Sequence, residues 1–286
     1  MTSLGRLRPL AAGGFILAVA VGAAVFAPLL APHDPYAQAV GARLIPPVWD
    51  EGGGWANALG TDPLGRDLLS RIIYGARISI SAAALAVAVS MVLGVLMGLI
   101  AGYYGASVDT VISNLVNLML AFPFLLLALA AVAVLGPGFR NMVIVLGLTG
   151  WPIYTRVVRA ETLKYREREF VLAARALGLG SWRVIWAHVL PNLINTIIVM
   201  ASLEVARMII LESFLSFLGL GIQPPTPSWG SMLGEGRVYM FTHSWLAAFP
   251  GLAIFVTTLG INLFGDGLRD LLDPHRVLAA ATARTE

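Results

Sequence analysis

The chain has 286 residues, of which 58% are hydrophobic and only 12% are charged, and its mean hydropathy is +0.80. Soluble domains carry roughly 25% charged residues, so this composition excludes a water-soluble globular protein and indicates an integral membrane protein. The absence of cysteine excludes disulfides and thiol chemistry, and the modest formal charge of +3 argues against a nucleic-acid partner.

Six stretches are apolar enough to cross a bilayer, whose hydrocarbon core takes about 20 helical residues. They cover residues 10–30, 78–101, 111–135, 142–158, 193–220 and 245–264. The first follows Arg6 and Arg8, which is also the pattern of a cleaved signal peptide. It exceeds the roughly 7–15 residues of a signal core and no A-x-A site closes it, so we predict a retained anchor. Pro123 is expected to kink the third span.

The distribution of Lys and Arg predicts how the chain is oriented. A cytoplasmic N-terminus would place twelve of these residues inside and six outside, with Arg207 inside a span. Because Lys and Arg concentrate in short cytoplasmic loops, both termini are predicted to be cytoplasmic. The chain then divides into a tail with the first span, 1–31, an extracytoplasmic loop, 32–77, a transmembrane core, 78–274, and a cytoplasmic tail, 275–286.

The polar interval 156–192 carries seven of the nineteen basic residues and lies between two apolar stretches. Strong helix formers predict a helix over 165–177, and Gly178 is expected to end it in the left-handed conformation. Ser181 is a candidate N-cap for a second helix, 182–189, before Pro191 opens the next span. We predict a helical pair that docks a soluble partner, although a basic loop that only fixes topology fits the spacing equally well.

Within this interval, Ala173-Ala174, Gly178 and Leu190-Pro191 form the pattern AA-x3-G-x11-LP. The pattern resembles the cytoplasmic signature of the permease subunits of ABC importers. Three further stretches are similar to C-type subunits of the dipeptide/oligopeptide/nickel permease group. They are LGTDPLGRDLLSRIIYGARIS (59–79), LSFLGLGIQPPTPSWG (215–230) and GDGLRDLLDP (265–274).

The resemblance implies an all-α polytopic protein of the inner membrane with six spans and the type I ABC importer permease (MetI-like) fold. It would form half of a translocation path for di- or oligopeptides. The implied partners are a homologous B-type permease, two ABC ATPase subunits and an extracytoplasmic solute-binding protein. ATP and Mg²⁺ would bind those ATPases, because this chain has no Walker A motif.

The resemblance also implies that coupling helices lie within 161–191 and contact the ATPases. The residues assigned to this contact are Glu169, Leu172, Ala173, Ala174, Ala176, Leu177, Gly178 and Ser181. The family usually places Glu directly before the alanine pair, where this chain has Leu172. We hypothesise that Glu169, three residues earlier on the same helical face, replaces that carboxylate.

Three charged residues in the fifth span, Glu204, Arg207 and Glu212, are candidates for the translocation path. Charges inside a span cost about 2.5–3.5 kcal/mol each and usually face the protein interior or a water-filled cavity. Glu204 and Arg207 share a helical face and can form a structural ion pair, which is the alternative interpretation. Glu212 lies further round the helix.

No pattern indicates an enzyme or a metal site. The GTDPLGRD run lacks the spacing of a phosphate-binding loop, and the four histidines have no second ligand at helical spacing. Two rival functions remain: an importer of nickel or another small solute in the same group, and a stand-alone ion-driven carrier. A carrier would be expected to show an internal repeat with matching broken helices, and we find none.

Overall fold

The computed structural model describes residues 3–272, with side chains from residue 8 onward; the predicted tail, 275–286, lies outside this range. The described chain is helical and contains no β-strand, which confirms the all-α class. Its helices are α1 Ser3–Val25, α2 Ala27–Leu30, α3 Leu68–Tyr104, α4 Ala106–Ala121, α5 Phe124–Leu135, α6 Phe139–Arg166, α7 Glu169–Ala176, α8 Ser181–Val184, α9 Leu190–Phe217, α10 Trp229–Gly236 and α11 Trp245–Leu272. Helix α1 packs mainly against α11 and α3.

Four helical stretches of the described chain are long and apolar enough to span a membrane: α1, α3, α11 and the continuous helix Ser181–Phe217. A fifth span results if the bent pair α4 and α5 is counted as one. Helix α6 has 28 residues and contains the predicted span 142–158, but its composition does not meet the same test. A count of six therefore stays a prediction.

Helix α3 begins ten residues before the predicted residue 78. The carboxylate of Asp67 caps its N-terminus, accepting hydrogen bonds from the backbone N–H and the hydroxyl of Ser70 at 2.8 and 2.7 Å. Such a cap satisfies amides that have no partner inside the helix, so the helix can start in the polar loop before the apolar stretch begins.

The predicted span 111–135 is wrong as a single helix. The chain bends by 88° between α4 and α5, where Phe122 is extended and Pro123 precedes the first residue of α5. Proline has no N–H to continue the helix, and it disfavours the helical conformation in the residue before it. The expected kink is thus a complete break.

The predicted second helix of the polar interval is also wrong as a separate unit. Helix α8 continues through a π-helical turn, Ile185–Val189, directly into α9. The wider turn lies just before Pro191, where a regular hydrogen bond is lost. Ser181 is the first residue of α8 and not its cap, since Gly180 occupies the cap position and no side chain bonds there.

The most extensive helix contact in the described part of the chain joins α3 to α6. A stripe of small residues on α3 meets α6, and two hydroxyls cross between them: Ser90 donates to the carbonyl of Gly147 at 2.8 Å, and Thr155 donates to that of Gly94 at 3.2 Å. A Cβ atom on Gly98 would lie 2.7 Å from the Cβ of Val158, so only glycine fits. Gly-x3-Gly spacing allows such close approach in membrane helices.

The opposite end of α3 is held by a cluster of four charges, three of them buried and Glu235 partly exposed, which we call the outer clamp: Asp62, Arg66, Arg71 and Glu235. Arg71 donates to both Asp62 and Glu235, which lies 164 positions away in α10. The charged residues of the GTDPLGRD run therefore form their ion pairs and hydrogen bonds within the protein. This agrees with a structural role for that loop.

Replacing Gly98 with Ala is expected to force α3 and α6 apart, because the new methyl group would overlap Val158. Overpacking of this kind lowers the free energy of unfolding by about 1–3 kcal/mol. Thermal unfolding of the purified chain in detergent measures the change. Gly22→Ala is the control, since a Cβ there has no neighbour within 4 Å. Equal melting temperatures for Gly98→Ala and the unmodified chain would contradict the close contact.

Replacing Arg71 with Met is expected to destabilise the outer clamp, because the buried carboxylate of Asp62 loses one of its two cations. Breaking a buried ion pair costs about 3–5 kcal/mol, and we expect the lower figure since Arg66 still faces Asp62. The same unfolding measurement applies. Arg77→Met is the control: Arg77 is exposed on the same helix and forms no ion pair with the described residues.

Candidate coupling segment and translocation path

The coupling segment, 161–191, is anchored through one face of α7. Val171 and Ala174 are buried there and belong to an apolar cluster with Val184, Ile185 and Val189 of the following helical turns. Gly178 has a φ of +81°, which confirms the predicted left-handed stop after α7. Because α7 packs against the start of the α8–α9 helix, a displacement of α7 is passed on to that helix.

The other face of α7 is exposed and carries mostly small and apolar residues, together with the charged residues Glu169 and Arg175. Leu177 is 81% exposed and Leu172 is 49% exposed. Most of the residues assigned to the ATPase contact are likewise exposed: Glu169, Leu172, Ala173, Ala176, Leu177 and Gly178. Ala174 is buried and Ser181 is half-buried, so these two shape the segment from within.

Two exposed tryptophans lie in the helix that follows α7, outside the residues assigned to the ATPase contact. Trp182 and Trp186 lie one helical turn apart in the continuous helix, next to α7. Large aromatic side chains are enriched where proteins bind one another. In the sequence, the spacing of four residues already indicated that these two side chains share one face of the helix.

Glu169 and Leu172 lie three residues apart in α7, as the hypothesis of a replaced carboxylate requires. Glu169 is the first residue of the helix, is exposed, and forms no ion pair with the described residues. A carboxylate at a helix N-terminus also interacts favourably with the helix dipole, which is a structural reason for the same residue. The side chain is nevertheless free to meet a partner.

Two arginines fix the end of α6 to its neighbours before the chain enters α7. Arg159 donates two hydrogen bonds to the carboxylate of Asp109 in α4: Nε to Oδ1, and Nη2 to Oδ2 at 2.6 Å. Arg166 donates to the carbonyl of Gly102 in α3 at 3.3 Å. A two-point guanidinium–carboxylate contact constrains angle as well as distance, so α6 and α4 move together.

Glu204 and Arg207 form the ion pair that their spacing predicts, with 3.1 Å between Nη1 of Arg207 and Oε2 of Glu204. The Glu204 side chain is 12% exposed and that of Arg207 is 41% exposed. The guanidinium therefore keeps accessible donors beyond its partner. Tyr154 of α6 lies close enough to Glu204 for an electrostatic interaction, and its buried hydroxyl has no hydrogen-bond partner among the described residues.

Glu212 is not brought together with this pair. Its carboxylate is completely buried and accepts hydrogen bonds from Ser216 at 2.8 Å and Ser213 at 3.3 Å. The geometry agrees with the expectation that the three charged residues do not form one compact site. A role for Glu212 in the path stays a prediction.

A polar cavity of about 250 Å³ lies between α4 and α6. Arg156 reaches across it and donates to the side-chain oxygen of Asn117 at 2.9 Å. Neither residue of this pair belongs to a motif that marked it as a candidate for the site. Within residues 3–272, no group of three or more His, Asp or Glu residues could hold a metal ion.

Comparison with known proteins identifies the family. The model for "Binding-protein-dependent transport system inner membrane component" matches residues 94–277. A second one, for the "N-terminal TM domain of oligopeptide transport permease C", matches residues 8–47. The two matches confirm the resemblance that the sequence motifs indicate.

Several curated proteins are similar over most of their length. The di/tripeptide transport system permease protein DppC of Pseudomonas aeruginosa is 46% identical, covering 94% of this chain and 89% of its own. The dipeptide permease DppC of Haemophilus influenzae is 44% identical over 91% and 88%, respectively. The glutathione transport system permease protein GsiD of Pectobacterium atrosepticum is 42% identical over 92% and 86%.

A solved structure supports the fold. An inward-facing form of the MetNI methionine ABC transporter aligns with a TM-score of 0.57 at 15% identity, covering 71% of this chain and 96% of that one. The likeness confirms the MetI-like fold. Together with the relatives above, it establishes that the chain belongs to the binding-protein-dependent inner membrane components and is a permease subunit of an ABC importer.

Proposed function

We propose that this chain forms half of the translocation path of an ATP-driven importer for di- or oligopeptides and receives its driving force at α7. The observation that carries the proposal is the two-sided character of α7. One face is packed into the protein, and the other exposes mostly small and apolar residues. Family membership supplies the partner class, an ABC ATPase.

A continuous helix connects the region next to α7 with the candidate translocation path. Helix α7 contacts α8, and α8 is continuous with α9 over the 37 residues from Ser181 to Phe217. Glu204 and Arg207 lie on that helix, about 35 Å from its start at a rise of 1.5 Å per residue. A push on α7 would tilt this rod as a rigid body and move the ion pair with it.

The rest of the assembly follows from family membership and charge. A homologous B-type permease would complete the path, two ATPases would bind ATP and Mg²⁺, and a solute-binding protein would deliver the substrate from outside. The excess of Lys and Arg at the end that carries α7 supports a cytoplasmic location of both termini in a bacterial inner membrane. This chain itself would bind no cofactor and perform no covalent chemistry.

The names of the relatives favour peptides over nickel. Proteins 42–46% identical to this chain carry dipeptide, di/tripeptide or glutathione in their names. A short peptide is a zwitterion, with one ammonium and one carboxylate. Glu204 and Arg207 offer one charge of each sign, and Arg207 keeps accessible donors that could bind the carboxylate.

Co-purification of the tagged chain from native membranes tests the proposal. We expect a second permease and two Walker A ATPases to be recovered with it. Leu177→Asp should reduce recovery of the ATPases at least tenfold, or about 1.4 kcal/mol, because it places a charge on the highly exposed apolar residue that directly follows α7. The second permease should remain bound.

Lys164→Ala is the matched control, since Lys164 is exposed in the same segment but lies outside α7. Glu169→Ala tests the replaced carboxylate: unchanged ATPase recovery and transport would count against that hypothesis. A chain that purifies alone and transports solute alone in liposomes would sink the importer proposal and favour the carrier.

The double substitution Glu204→Gln with Arg207→Gln tests the path. It leaves the hydrogen bond between the two side chains possible but removes both charges. If the pair binds the peptide termini, KM for peptide uptake should rise about tenfold or more, since a hydrogen bond to a charged group contributes about 1.5–3 kcal/mol. Uptake into proteoliposomes at varied peptide concentration measures KM. A purely structural pair would lower the yield of folded protein and leave KM unchanged.

A further inference from the structure

The carboxyl group of Glu212 lies in an unusual environment for an acidic residue. It is completely buried, and it belongs to a helix that is apolar enough to cross a membrane. No Lys, Arg or His among the described residues forms an ion pair with it. A carboxylate removed from water without a cation is strongly disfavoured and takes up a proton instead.

The groups that surround this carboxyl are hydroxyls from three separate parts of the chain. Ser213 and Ser216 belong to α9, like Glu212 itself, and donate to its two oxygens. The hydroxyls of Ser79 in α3 and of Ser228, which precedes α10, lie close to the same carboxyl group. The carboxyl is therefore a junction between two helices and the loop that leads to α10.

Three of these hydroxyls also accept a backbone N–H. Ile222 donates to Ser216 at 3.3 Å, Trp229 to Ser79 at 3.2 Å, and Ser231 to Ser228 at 3.2 Å. A serine hydroxyl has a single proton to donate: Ser216 directs its proton at Glu212, whereas Ser228 donates to the hydroxyl of Ser231 at 3.2 Å. Through these hydroxyls, the backbone of residues 222–231 is held close to the carboxyl group.

The glycines of this stretch show how closely the chain approaches the junction. A Cβ on Gly221 would lie 2.2 Å from the hydroxyl oxygen of Ser216, and one on Gly230 would lie 2.3 Å from the carbonyl oxygen of Ser213. The motif LSFLGLGIQPPTPSWG thus combines serines that bind the carboxyl with glycines that leave room for them.

We propose that Glu212 is a proton-binding site, whose neutral carboxylic acid joins α3, α9 and the loop before α10. As an acid it accepts hydrogen bonds from Ser213 and Ser216 and donates its own proton to a further neighbouring hydroxyl, such as that of Ser79, so that no net charge is buried. A monovalent cation is the other ligand that could neutralise the group. The direct 2.8 Å contact between Ser216 and Oε1 leaves no space for an ion between them, which favours the proton.

Infrared spectroscopy of the purified full chain, together with the partners that it retains, tests the proposal directly. At neutral pH, the spectrum of the unmodified protein minus that of Glu212→Gln should contain the carbonyl stretch of a protonated carboxylic acid. Glu204→Gln is the matched control on the same helix: its ion-paired carboxylate should contribute carboxylate bands instead. Carboxylate bands in the Glu212 difference spectrum would overturn the proposal.

Thermal unfolding provides a second test that separates charge from hydrogen bonding. Glu212→Gln, which is neutral and can still hydrogen-bond, should keep the melting temperature of the unmodified protein. Glu212→Leu should lower it by about 5 °C or more, because the hydroxyls lose their common acceptor. An equal loss with Gln would show that the negative charge is required. A melting temperature that rises with Na⁺ but not with choline would identify a bound cation instead and also overturn the proposal.

If Glu212→Gln does not accumulate, Ser216→Ala replaces it. Removal of this hydrogen-bond donor should shift the carbonyl band of the buried acid, whereas it should leave the acid region of the spectrum unchanged if Glu212 is ionised. None of these measurements depends on the transported substrate. Their failure is therefore distinguishable from failure of the proposed import function.

Discussion

The backbone contact between α3 and α6 sets the positions of most other elements. Helix α3 has 37 residues, and its glycine stripe lets the backbone of α6 approach more closely than any larger residue would allow. One end of α3 carries the outer clamp, and the far end of α6 leads into α7. A change in the angle between these two helices would therefore move both ends of the permease at once.

Hydrogen bonds of charged groups also fix the positions of the helices relative to one another, because apolar packing alone is not directional. Arg71 ties the start of α3 to α10, and Arg159 ties the end of α6 to α4. In the junction that we propose, Glu212 joins α9 to α3 and to the loop before α10. Each connection is made from groups that water would otherwise solvate, so each has one favoured geometry, whereas apolar contacts can slide.

Much of this structure could be predicted from the sequence, because hydropathy, helix termination and side-chain spacing depend on residues that are close together in the chain. Hydropathy placed the apolar stretches and the all-α class, and Gly178 ended its helix as expected because only glycine enters the left-handed region without strain. The spacing of three residues predicted the pair of Glu204 and Arg207. The motif that includes Ala173-Ala174 indicated the family, and the comparisons confirm it.

Tertiary structure decided whatever depends on residues far apart in the chain. The Gly-x3-Gly spacing of Gly94, Gly98 and Gly102 was visible, but not that α6 would be the helix packed against it. Nothing local connects Arg71 with Glu235, 164 positions away, or Ser79 with Trp229, 150 positions away. The continuity of α8 with α9 likewise depends on a π-turn that adapts the helix to Pro191. Periodicity and capping act within a few turns, whereas these contacts exist only once the helices have packed.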